Sequence, residues 1–589
     1  MKSIVAITSI LILTSCGSSE PDFKTGYIDI THIYEKMEMS VQYNQKLAEL
    51  EQKKRPELNQ ILNQIEAINI EVNSLIKNFK CLIPEEIDYG KDYDCIHATI
   101  DLKVKYLDET TIDKYKARVC GCGNELVQSA TYTNETYSPT VAHLTHSTML
   151  QLAIYDQMHM CSIDTVGAFL YQEYPESLKP LYVILPKAVA EVCNLNPKTT
   201  YRVKKYIYGL PDSGRAYYIA YRDHLINSGY VMTSADPCLF VRLTKDIRTY
   251  VWIHVDDTIA ASTHESEFIL LKNNLEQKFK ITINDFTKHL GINIDRLNSG
   301  AVKLRQRKLL GNLFEEYPPS GRRVNQPQRI SRNDAMNTVD DQGNQPCDQR
   351  EYLHLLGMLN YISHTRPDIS TALSYAATKN TNPTKANFDE LLLVVDYLWQ
   401  TKEKGLILHP APYKNAPLTL ICHVDASYLA HEDAKSHTGY CLSFGKFGSF
   451  YSKSSKQKLV ATSSTHAEIR ALYTLVLDII YIVHLCEEVG RPIDLPAVVF
   501  EDNQPVIDLT KTLSSKVTRS KHFLMLIEFI REQVMEGLIE LRKIPTESNV
   551  ADLLTKLIVG KTFTTKAMHL LGEMGMSLNM NESSDELNF

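Results

Sequence analysis

Carboxylates that follow apolar, strand-like segments are the residues of this sequence with the clearest chemical potential. Asp164 ends the apolar run 158–163, and the adjacent pair Asp256 and Asp257 lies between the two β-rich arms of residues 250–259. The second pattern predicts a hairpin with the acidic pair at its turn. If both segments are neighbouring strands, Asp164 and Asp256 meet at one edge. Because close carboxylates repel each other unless a cation lies between them, the pattern predicts a Mg²⁺ site.

A second set of acids has the same character farther along the chain. Asp425 and Asp502 each end an apolar strand-like run, and Asp552 opens the last helical pattern. Glu468 lies about one turn into a segment that begins with Ser and Thr, which favour the start of a helix. Four such carboxylates can converge on two Mg²⁺ ions ~4 Å apart, a site that splits phosphodiesters with water as the nucleophile.

Length and composition limit the classes of protein that can position these acids. The chain has 589 residues, 44% of them apolar and 23% charged, which excludes wholesale disorder and fibrous repeats. Its net charge of −7 predicts no polyanion partner by itself, although a local basic groove is compatible with it. Twelve cysteines without regular spacing argue against a disulfide framework. Beyond residue 20, no apolar run reaches the ~18 residues of a membrane span.

The first residues differ in kind from the rest. Met1 and Lys2 give a positive start, residues 4–13 form a short apolar stretch, and a small-residue stop ends at Cys16. This order resembles a bacterial lipoprotein signal, in which Cys16 would be lipidated and would anchor the chain to a membrane. The alternative is a chance apolar start produced by mis-called gene boundaries.

The next segment, residues 58–79, shows the apolar pattern of a helix and contains no candidate catalytic residues. Its apolar residues recur at steps of three and four, which predicts a coiled-coil seam; a plain amphipathic helix is the alternative. The segment resembles the start of a periplasmic chaperone of the Skp (OmpH) type. The seam residues are Leu58, Ile61, Ile65, Ile68, Val72, Leu75 and Phe79.

The residues around both acidic sets form motifs in a fixed order. Over roughly residues 85 to 570 they resemble the reverse transcriptase of copia-type (Pseudoviridae) LTR retrotransposons, followed by the ribonuclease H domain of those elements. The first group of motifs comprises residues 113–118, 135–139, 208–216, 289–292 and 352–369, together with the segments that carry Asp164 and Asp256. The second comprises residues 436–440, 452–457, 519–522 and 529–532, together with the segments that carry Asp425, Glu468, Asp502 and Asp552.

The resemblance implies roles for individual residues. The first acidic set would hold the Mg²⁺ ions of a polymerase palm, and the second would carry the metal-binding D-E-D-D roles of the ribonuclease. Lys116 and Arg118 match a basic pair on the fingers that would grip the incoming triphosphate. Phe169 lies where an aromatic ring would collide with a ribose 2′-OH and so select dNTPs. Asp212 departs from the family, which has Gln there, and a carboxylate would repel the triphosphate.

The fold expected from this resemblance is of the α/β (α+β) class. It comprises a right-hand polymerase with a ferredoxin-like palm, a ribonuclease H-like mixed sheet, and an N-terminal helical or coiled-coil segment. The expected regions are a signal-like segment (1–20), a helical coiled coil (21–80), fingers and palm (81–320), a thumb or connection (321–410), the ribonuclease H domain (411–575) and a disordered tail (576–589).

The resemblance implies RNA-directed DNA synthesis coupled to cleavage of RNA in RNA–DNA hybrids. Each site would use two Mg²⁺ ions, with Mn²⁺ as a possible substitute. The partners would be an RNA template, a DNA primer, dNTPs and the hybrid, in the cytoplasm or a virus-like particle. Two alternatives stay open: an inactive retroelement remnant fused to an envelope-anchored coiled-coil lipoprotein, and a protein active only as a nuclease. The oligomeric state is left open.

Overall fold

The structure is a computed structural model that describes residues 59–90, 92–106, 112–127, 135–327, 345–446, 448–511 and 521–574. The expected signal with Cys16, the first seam residue Leu58 and the expected tail lie outside these ranges. Helices and strands are both present throughout the described residues, which confirms the predicted mixed α/β class. All cysteines in this part of the chain are free, in agreement with their irregular spacing.

Twenty strands are described, most of them short. They are β1 (Leu82–Pro84), β2 (Asp94–Tyr106), β3 (Ile112–Gly121), β4 (His159–Thr165), β5 (Leu181–Ile184), β6 (Thr200–Val203), β7 (Val231–Met232), β8 (Leu239–Leu243), β9 (Arg248–His254), β10 (Asp257–Ser262), β11 (Ile281–Asp285), β12 (Lys288–His289), β13 (Ile292–Arg296), β14 (Val302–Arg305), β15 (Leu406–Leu408), β16 (Leu420–Ser427), β17 (His437–Phe444), β18 (Tyr451–Lys456), β19 (Ala497–Glu501) and β20 (Ile539–Lys543).

Helices connect and cover these strands. They are α1 (59–78, ending in the π-helical turn Ser74–Asn78), α2 (Gly123–Val127), α3 (His143–Tyr155), α4 (Lys187–Val192), α5 (Ser213–Asn227), α6 (Ser266–Leu275), α7 (Arg307–Glu316), α8 (Gln349–Ser363), α9 (Ser370–Ala377), α10 (Lys385–Gln400), α11 (Ser464–Glu488), α12 (Gln504–Lys511), α13 (Lys521–Met535) and α14 (Gly560–Leu570). Short 3-10 turns lie at Ala168–Tyr171, Pro367–Ile369, Thr546–Ser548 and Val550–Leu554.

The chain divides into two compact units, and the first is built on one sheet with the strand order β1-β6-β5-β2-β3. Helix α1 belongs to it: Ile68, Val72 and Leu75 are buried in one core with the strand residues Ala117 and Val119. The predicted helix is confirmed over its described part, but the coiled-coil interpretation is wrong. Helix α1 and the strands share this core on both sides of residue 80, and the expected boundary there stays a prediction. The unit comprises Met1–Pro139, Val166–His224 and Lys278–Lys280.

The second unit contains three sheets, in the strand orders β11-β4-β10-β9-β8-β7, β12-β13-β14-β15 and β18-β17-β16-β19-β20. The last is mixed, as predicted, because β16 pairs antiparallel with β17 and parallel with β19. Helices α8 to α10 come from the expected connection, yet Tyr352 and Leu398 lie in one core with Leu554 and Phe563. The connection and the C-terminal region therefore fold together. The unit comprises Thr140–Thr165, Leu225–Gln277 and Ile281–Phe589.

Polar contacts join the six-stranded sheet to the C-terminal region within the second unit. The Tyr250 hydroxyl donates to the Val489 carbonyl at 3.0 Å, just beyond α11. The Asp156 carboxylate is 9% exposed and forms ion pairs with Arg248 at 2.8 Å and Arg491 at 3.2 Å. By length and composition α11 could cross a membrane, but 56% of its apolar window is buried inside this unit.

Candidate active sites

The first candidate site is the hairpin of β9 and β10. Strand β9 ends at His254, and Asp257 opens β10 directly opposite it, so Val255 and Asp256 form a two-residue turn. The predicted hairpin is thereby confirmed. Val255 has a φ of 59°, a left-handed conformation that β-branched residues rarely adopt. Such strain costs on the order of 1–3 kcal/mol and clusters at functional sites.

Strand β4 brings the third acid to this hairpin. It pairs antiparallel with β10, and the register sets Asp164 directly opposite Asp257, which confirms that the two predicted segments are neighbouring strands. The expected partner of Asp164 was Asp256, whereas Asp256 lies in the turn. The Asp164 side chain is exposed, and the two others are half-buried. We call Asp164, Asp256 and Asp257 the hairpin acids.

The predicted basic pair lies on β3 in the first unit. Lys116 and Arg118 are both half-buried, and the Arg118 guanidinium lies over the Tyr208 ring, 5.2 Å from its centre. The buried Nε of Arg118 has no hydrogen-bond partner among the described residues. Helix α1 contributes Glu71, whose pKa is raised by burial and lowered to a smaller extent by the Val119 backbone and by the charges of Lys116 and Arg118.

Phe169 and Asp212 also belong to the first unit. Phe169 is half-buried in the turn Ala168–Tyr171, with its ring 5.1 Å from Tyr208 and 6.1 Å from Tyr217. The Asp212 carboxylate is 5% exposed and accepts a hydrogen bond from Tyr206 at 3.1 Å. The expected repulsion of a triphosphate assumed an accessible carboxylate, and this burial argues against it.

Parallel strands position two acids of the second candidate site. In the pairing of β16 with β19, His423 lies opposite Phe500, so Asp425 and Asp502, two residues farther along each strand, reach the same edge. Asp425 lies within β16, and Asp502 follows the last residue of β19. The expected strand-end position holds for Asp502, whereas β16 continues two residues beyond Asp425.

The other two predicted acids, Glu468 and Asp552, lie near the start of a helix and in a 3-10 turn. The Ser463 hydroxyl accepts from the His466 N–H at 3.1 Å, which caps α11 and confirms that Glu468 lies about one turn into a helix. Asp552 lies in the turn Val550–Leu554 instead of a longer helix. The Asn549 side chain before it donates to the Val424 carbonyl at 2.8 Å and so ties the turn to β16.

These four acids converge, together with one that sequence reasoning missed. Their carboxylate oxygens form two triads, Asp425–Asp502–Asp552 and Glu468–Glu501–Asp502, within which one oxygen of each residue lies within 4.8 Å of the others. Glu501 ends β19, and the signal for it was present: Glu501-Asp502 is an acidic pair after an apolar strand, like Asp256-Asp257. We call these five residues the C-terminal cluster.

No other three His, Cys, Asp or Glu residues in the described part of the chain approach this closely. The hairpin acids therefore do not converge to the same degree.

Burial dominates the electrostatics of the C-terminal cluster. It raises the pKa of Asp425 to about 6 and that of Glu501 to about 8, and neighbouring acids add to both effects. The pKa of Glu468 rises well above its ordinary value, through burial first and then the Glu501 charge. The Glu468 and Glu501 Oε2 atoms are buried without partners among the described residues. An ionised carboxylate that is buried without a partner is energetically costly unless a cation binds it. These oxygen donors fit Mg²⁺ or Mn²⁺.

Lysines neutralise one side of the cluster. The Lys556 Nζ lies 3.0 Å from Asp425 Oδ1 and contacts Asp552 as well. The buried Lys566 Nζ lies 2.9 Å from the second Asp552 oxygen, and the Thr555 hydroxyl donates to Asp425. The Asp425–Asp552 side is thus paired with lysines. No described lysine or arginine forms an ion pair with Glu468 or Glu501, although Glu501 Oε1 accepts a hydrogen bond from the Asn503 N–H at 2.9 Å.

Comparisons with known proteins find relatives of this chain by sequence and by structure. Residues 86–321 match the family described as "Reverse transcriptase (RNA-dependent DNA polymerase)". The chain is 27% identical over 456 residues to the Pol polyprotein from transposon RE1 of Arabidopsis thaliana, and 27% identical over 524 residues to that from transposon TNT 1-94 of Nicotiana tabacum. These alignments cover 77% and 86% of this chain.

The aligned segments cover only 30% and 37% of the two relatives, so the chain spans about a third of their length. Among solved structures, a foamy viral protease-reverse transcriptase bound to double-stranded DNA aligns over 90% of this chain and 84% of its own, at 10% identity and a TM-score of 0.44. Residues 86–321 thus match the reverse transcriptase family, and the chain is similar over most of its length to a part of these two transposon Pol polyproteins.

Proposed function

We propose that this chain is an RNA-directed DNA polymerase that extends a DNA primer on an RNA template. The observation that carries the proposal is the pairing of β4 with β10, which sets Asp164 opposite Asp257 beside the strained Val255–Asp256 turn. This pairing lies within the segment that matches the reverse transcriptase family. Carboxylate oxygens on adjoining strands suit Mg²⁺, with Mn²⁺ as a substitute, and a bound ion would stabilise charge on the reacting phosphates.

The first unit supplies the proposed dNTP contacts. Lys116 and Arg118 lie two residues apart on β3, and alternation along a strand gives both side chains the same face. They would bind the triphosphate through charge-assisted hydrogen bonds. Phe169 would exclude a ribose 2′-OH by steric contact, and its packing on Tyr208 and Tyr217 limits the freedom of the ring.

We propose a second activity, hydrolysis of the RNA strand of RNA–DNA hybrids, for the C-terminal cluster. Its support is the convergence of five carboxylates, two of which retain buried oxygens without partners. Asp425, Asp502 and Asp552 would hold one divalent ion, and Glu468, Glu501 and Asp502 a second. Recognition of a hybrid relies mainly on backbone shape and 2′-OH groups, so such a site requires no base-specific contacts.

The deciding experiment is primer extension by the full chain on an RNA template with Mg²⁺, beside an Asp256→Asn variant. The full chain is required because α1 is part of the core of the first unit. Extension that disappears in the variant would support the polymerase. Cleavage of a labelled hybrid without primer extension would indicate a protein active only as a nuclease. Folded protein that shows neither activity would support the inactive remnant.

Location and anchoring are separate proposals. The proposed substrates, dNTPs and RNA, favour the cytoplasm or a virus-like particle, whereas the first residues favour a lipid anchor at Cys16. Labelling cells with a fatty-acid probe would test the anchor. Label that disappears in a Cys16→Ser variant supports it, and an unlabelled chain contradicts it.

A further inference from the structure

Two lysines contact the C-terminal cluster, and one of them, Lys556, is partly exposed to solvent. Its Nζ bridges Asp425 Oδ1, at 3.0 Å, and Asp552 Oδ1. The two carboxylates are 1% and 6% exposed, whereas the lysine side chain is 39% exposed. A solvent-accessible ammonium therefore reaches into a buried pair of acids.

The neighbouring Lys566 shows what a purely structural lysine looks like at this site. It is 5% exposed, and its Nζ contacts Asp552 Oδ2 at 2.9 Å, the Thr546 carbonyl at 3.2 Å and the Asn549 carbonyl. These contacts satisfy its ammonium on several sides within the protein. Lys556 has no comparable backbone contacts among the described residues, and both of its acceptors are proposed metal ligands.

The two triads consequently differ before any metal binds. On the Asp425–Asp552 side a cation of the chain itself balances the acids. On the other side, Glu468 Oε2 and Glu501 Oε2 are buried without partners in the described structure. Two cations cannot occupy the same space between Asp425 and Asp552, because like charges at that separation repel strongly.

We propose that the Lys556 ammonium occupies one of the two cation positions of the nuclease, so that a divalent ion binds between Asp425 and Asp552 only after this side chain withdraws into solvent. The inference rests on the proposed nuclease function. It has a direct consequence for metal binding: the position at Glu468, Glu501 and Asp502 fills first, and the position held by Lys556 fills at higher metal concentration.

The test is a Mn²⁺ titration in which electron paramagnetic resonance measures the free ion. The full chain carries Asp256→Asn throughout, so that the proposed polymerase site does not contribute, and we expect two classes of site in this background. Lys556→Met should tighten the weaker class about three- to tenfold, because metal binding no longer breaks its ion pairs. The tighter class should stay within about twofold. Lys561→Met, at an exposed lysine of α14, makes the same change of net charge and should leave both classes unchanged.

Further variants keep the result interpretable. Lys556→Gln repeats the loss of charge with a polar side chain, for use if Lys556→Met does not fold. Lys556→Arg keeps a cation and should titrate like the native chain. Unchanged or weaker Mn²⁺ binding in folded Lys556→Met or Lys556→Gln would overturn the inference, since the lysine would then only position the acids. Failure of the nuclease proposal looks different: the Asp256→Asn background would bind no Mn²⁺, or adding Asp502→Asn would leave its Mn²⁺ binding unchanged.

Discussion

Both candidate sites are built from carboxylates, but these are mostly buried in the C-terminal cluster and more exposed at the hairpin. The C-terminal cluster is held together by folding: two parallel strand ends, a capped helix and a tethered 3-10 turn bring buried carboxylates within 4.8 Å. The hairpin acids lie on paired strands, more exposed, and do not converge to this distance. The free energy that assembles acids against their repulsion thus comes from folding in the first case. In the proposed polymerase site, a bound metal and substrate would have to supply it.

The largest effect that separates the sites should follow from Asp502→Asn. Asp502 belongs to both triads, so the substitution weakens both metal positions. Metal ions supply several kcal/mol of transition-state stabilisation, so hybrid cleavage should fall by ~10³-fold or more. A gel assay of labelled hybrid measures this loss. Primer extension by the same variant should stay within about twofold, and a parallel collapse would mean that the sites are not separate.

Glu501→Gln tests whether the missed acid is a ligand. Removing its charge while keeping its size should weaken Mn²⁺ binding about tenfold, since altered ligand environments typically cost 10–100-fold in affinity. It should also lower the pKa of Glu468, which the Glu501 charge raises. Metal titration gives the affinity. Glu547→Gln, at an exposed acid outside both triads, is the matched control, and equal affinity in both variants would exclude Glu501 from the site.

The stability of the C-terminal cluster should depend on pH and metal together. Glu501 has a pKa of about 8 and Asp425 of about 6, both raised above their ordinary values, so the neutral forms favour the folded state. Their contribution is complete below about pH 4 and is lost as the pH rises through 6 and then 8. Mg²⁺ binds the ionised acids and should restore this stability at high pH.

Thermal unfolding with and without Mg²⁺ measures this dependence. The Mg²⁺-induced rise in Tm should be larger at pH 8.5 than at pH 6, by about 2–4 °C for each kcal/mol of added binding free energy. Asp502→Asn should remove most of the difference. A rise of equal size at both pH values in the native chain would contradict the protonation of the cluster.

The smallest effect should come from the hairpin turn. Val255→Gly relieves a backbone strain of ~1 kcal/mol or more at φ 59°, since glycine adopts this conformation freely. Val255→Ala is the control, because it removes the same branched side chain and keeps the strain. The glycine variant should unfold at the higher temperature of the two, as measured by calorimetry. The reverse order would show that the turn is not strained.

Sequence reasoning located the acids well because their signals are local. The β-rich arms around Asp256 and Asp257 and the apolar runs before Asp425 and Asp502 each define a strand and its end. Glu501 was missed because it was counted as the last residue of the apolar strand, although burial at a strand end gives it the same surroundings as Asp502. The pairing of Asp164 with Asp257 instead of Asp256 depends on the register of β4 on β10, two strands far apart in the sequence, and composition does not set that register.

Contacts that depend on the fold could not be predicted from the sequence patterns. The three-and-four spacing through Ile68, Val72 and Leu75 serves equally for a helix against a sheet or against another helix, so the partner of α1 could not be read from it. Asp212 was expected beside a triphosphate, whereas its burial against Tyr206 is a tertiary contact. The role of Lys556 likewise depends on the fold, which brings it to Asp425, 131 residues away along the chain.

The ion pairs of Asp156 with Arg248 and Arg491, and the bond from Tyr250 to the end of α11, have a genetic consequence. They lie within the second unit, which carries both the hairpin acids and the C-terminal cluster, so a substitution that unfolds this unit should remove the two activities together. A substitution of a single ligand acid removes only one. In a population of decaying copies, separate loss of either activity should therefore trace to ligand acids, whereas joint loss can arise from packing residues that touch neither site.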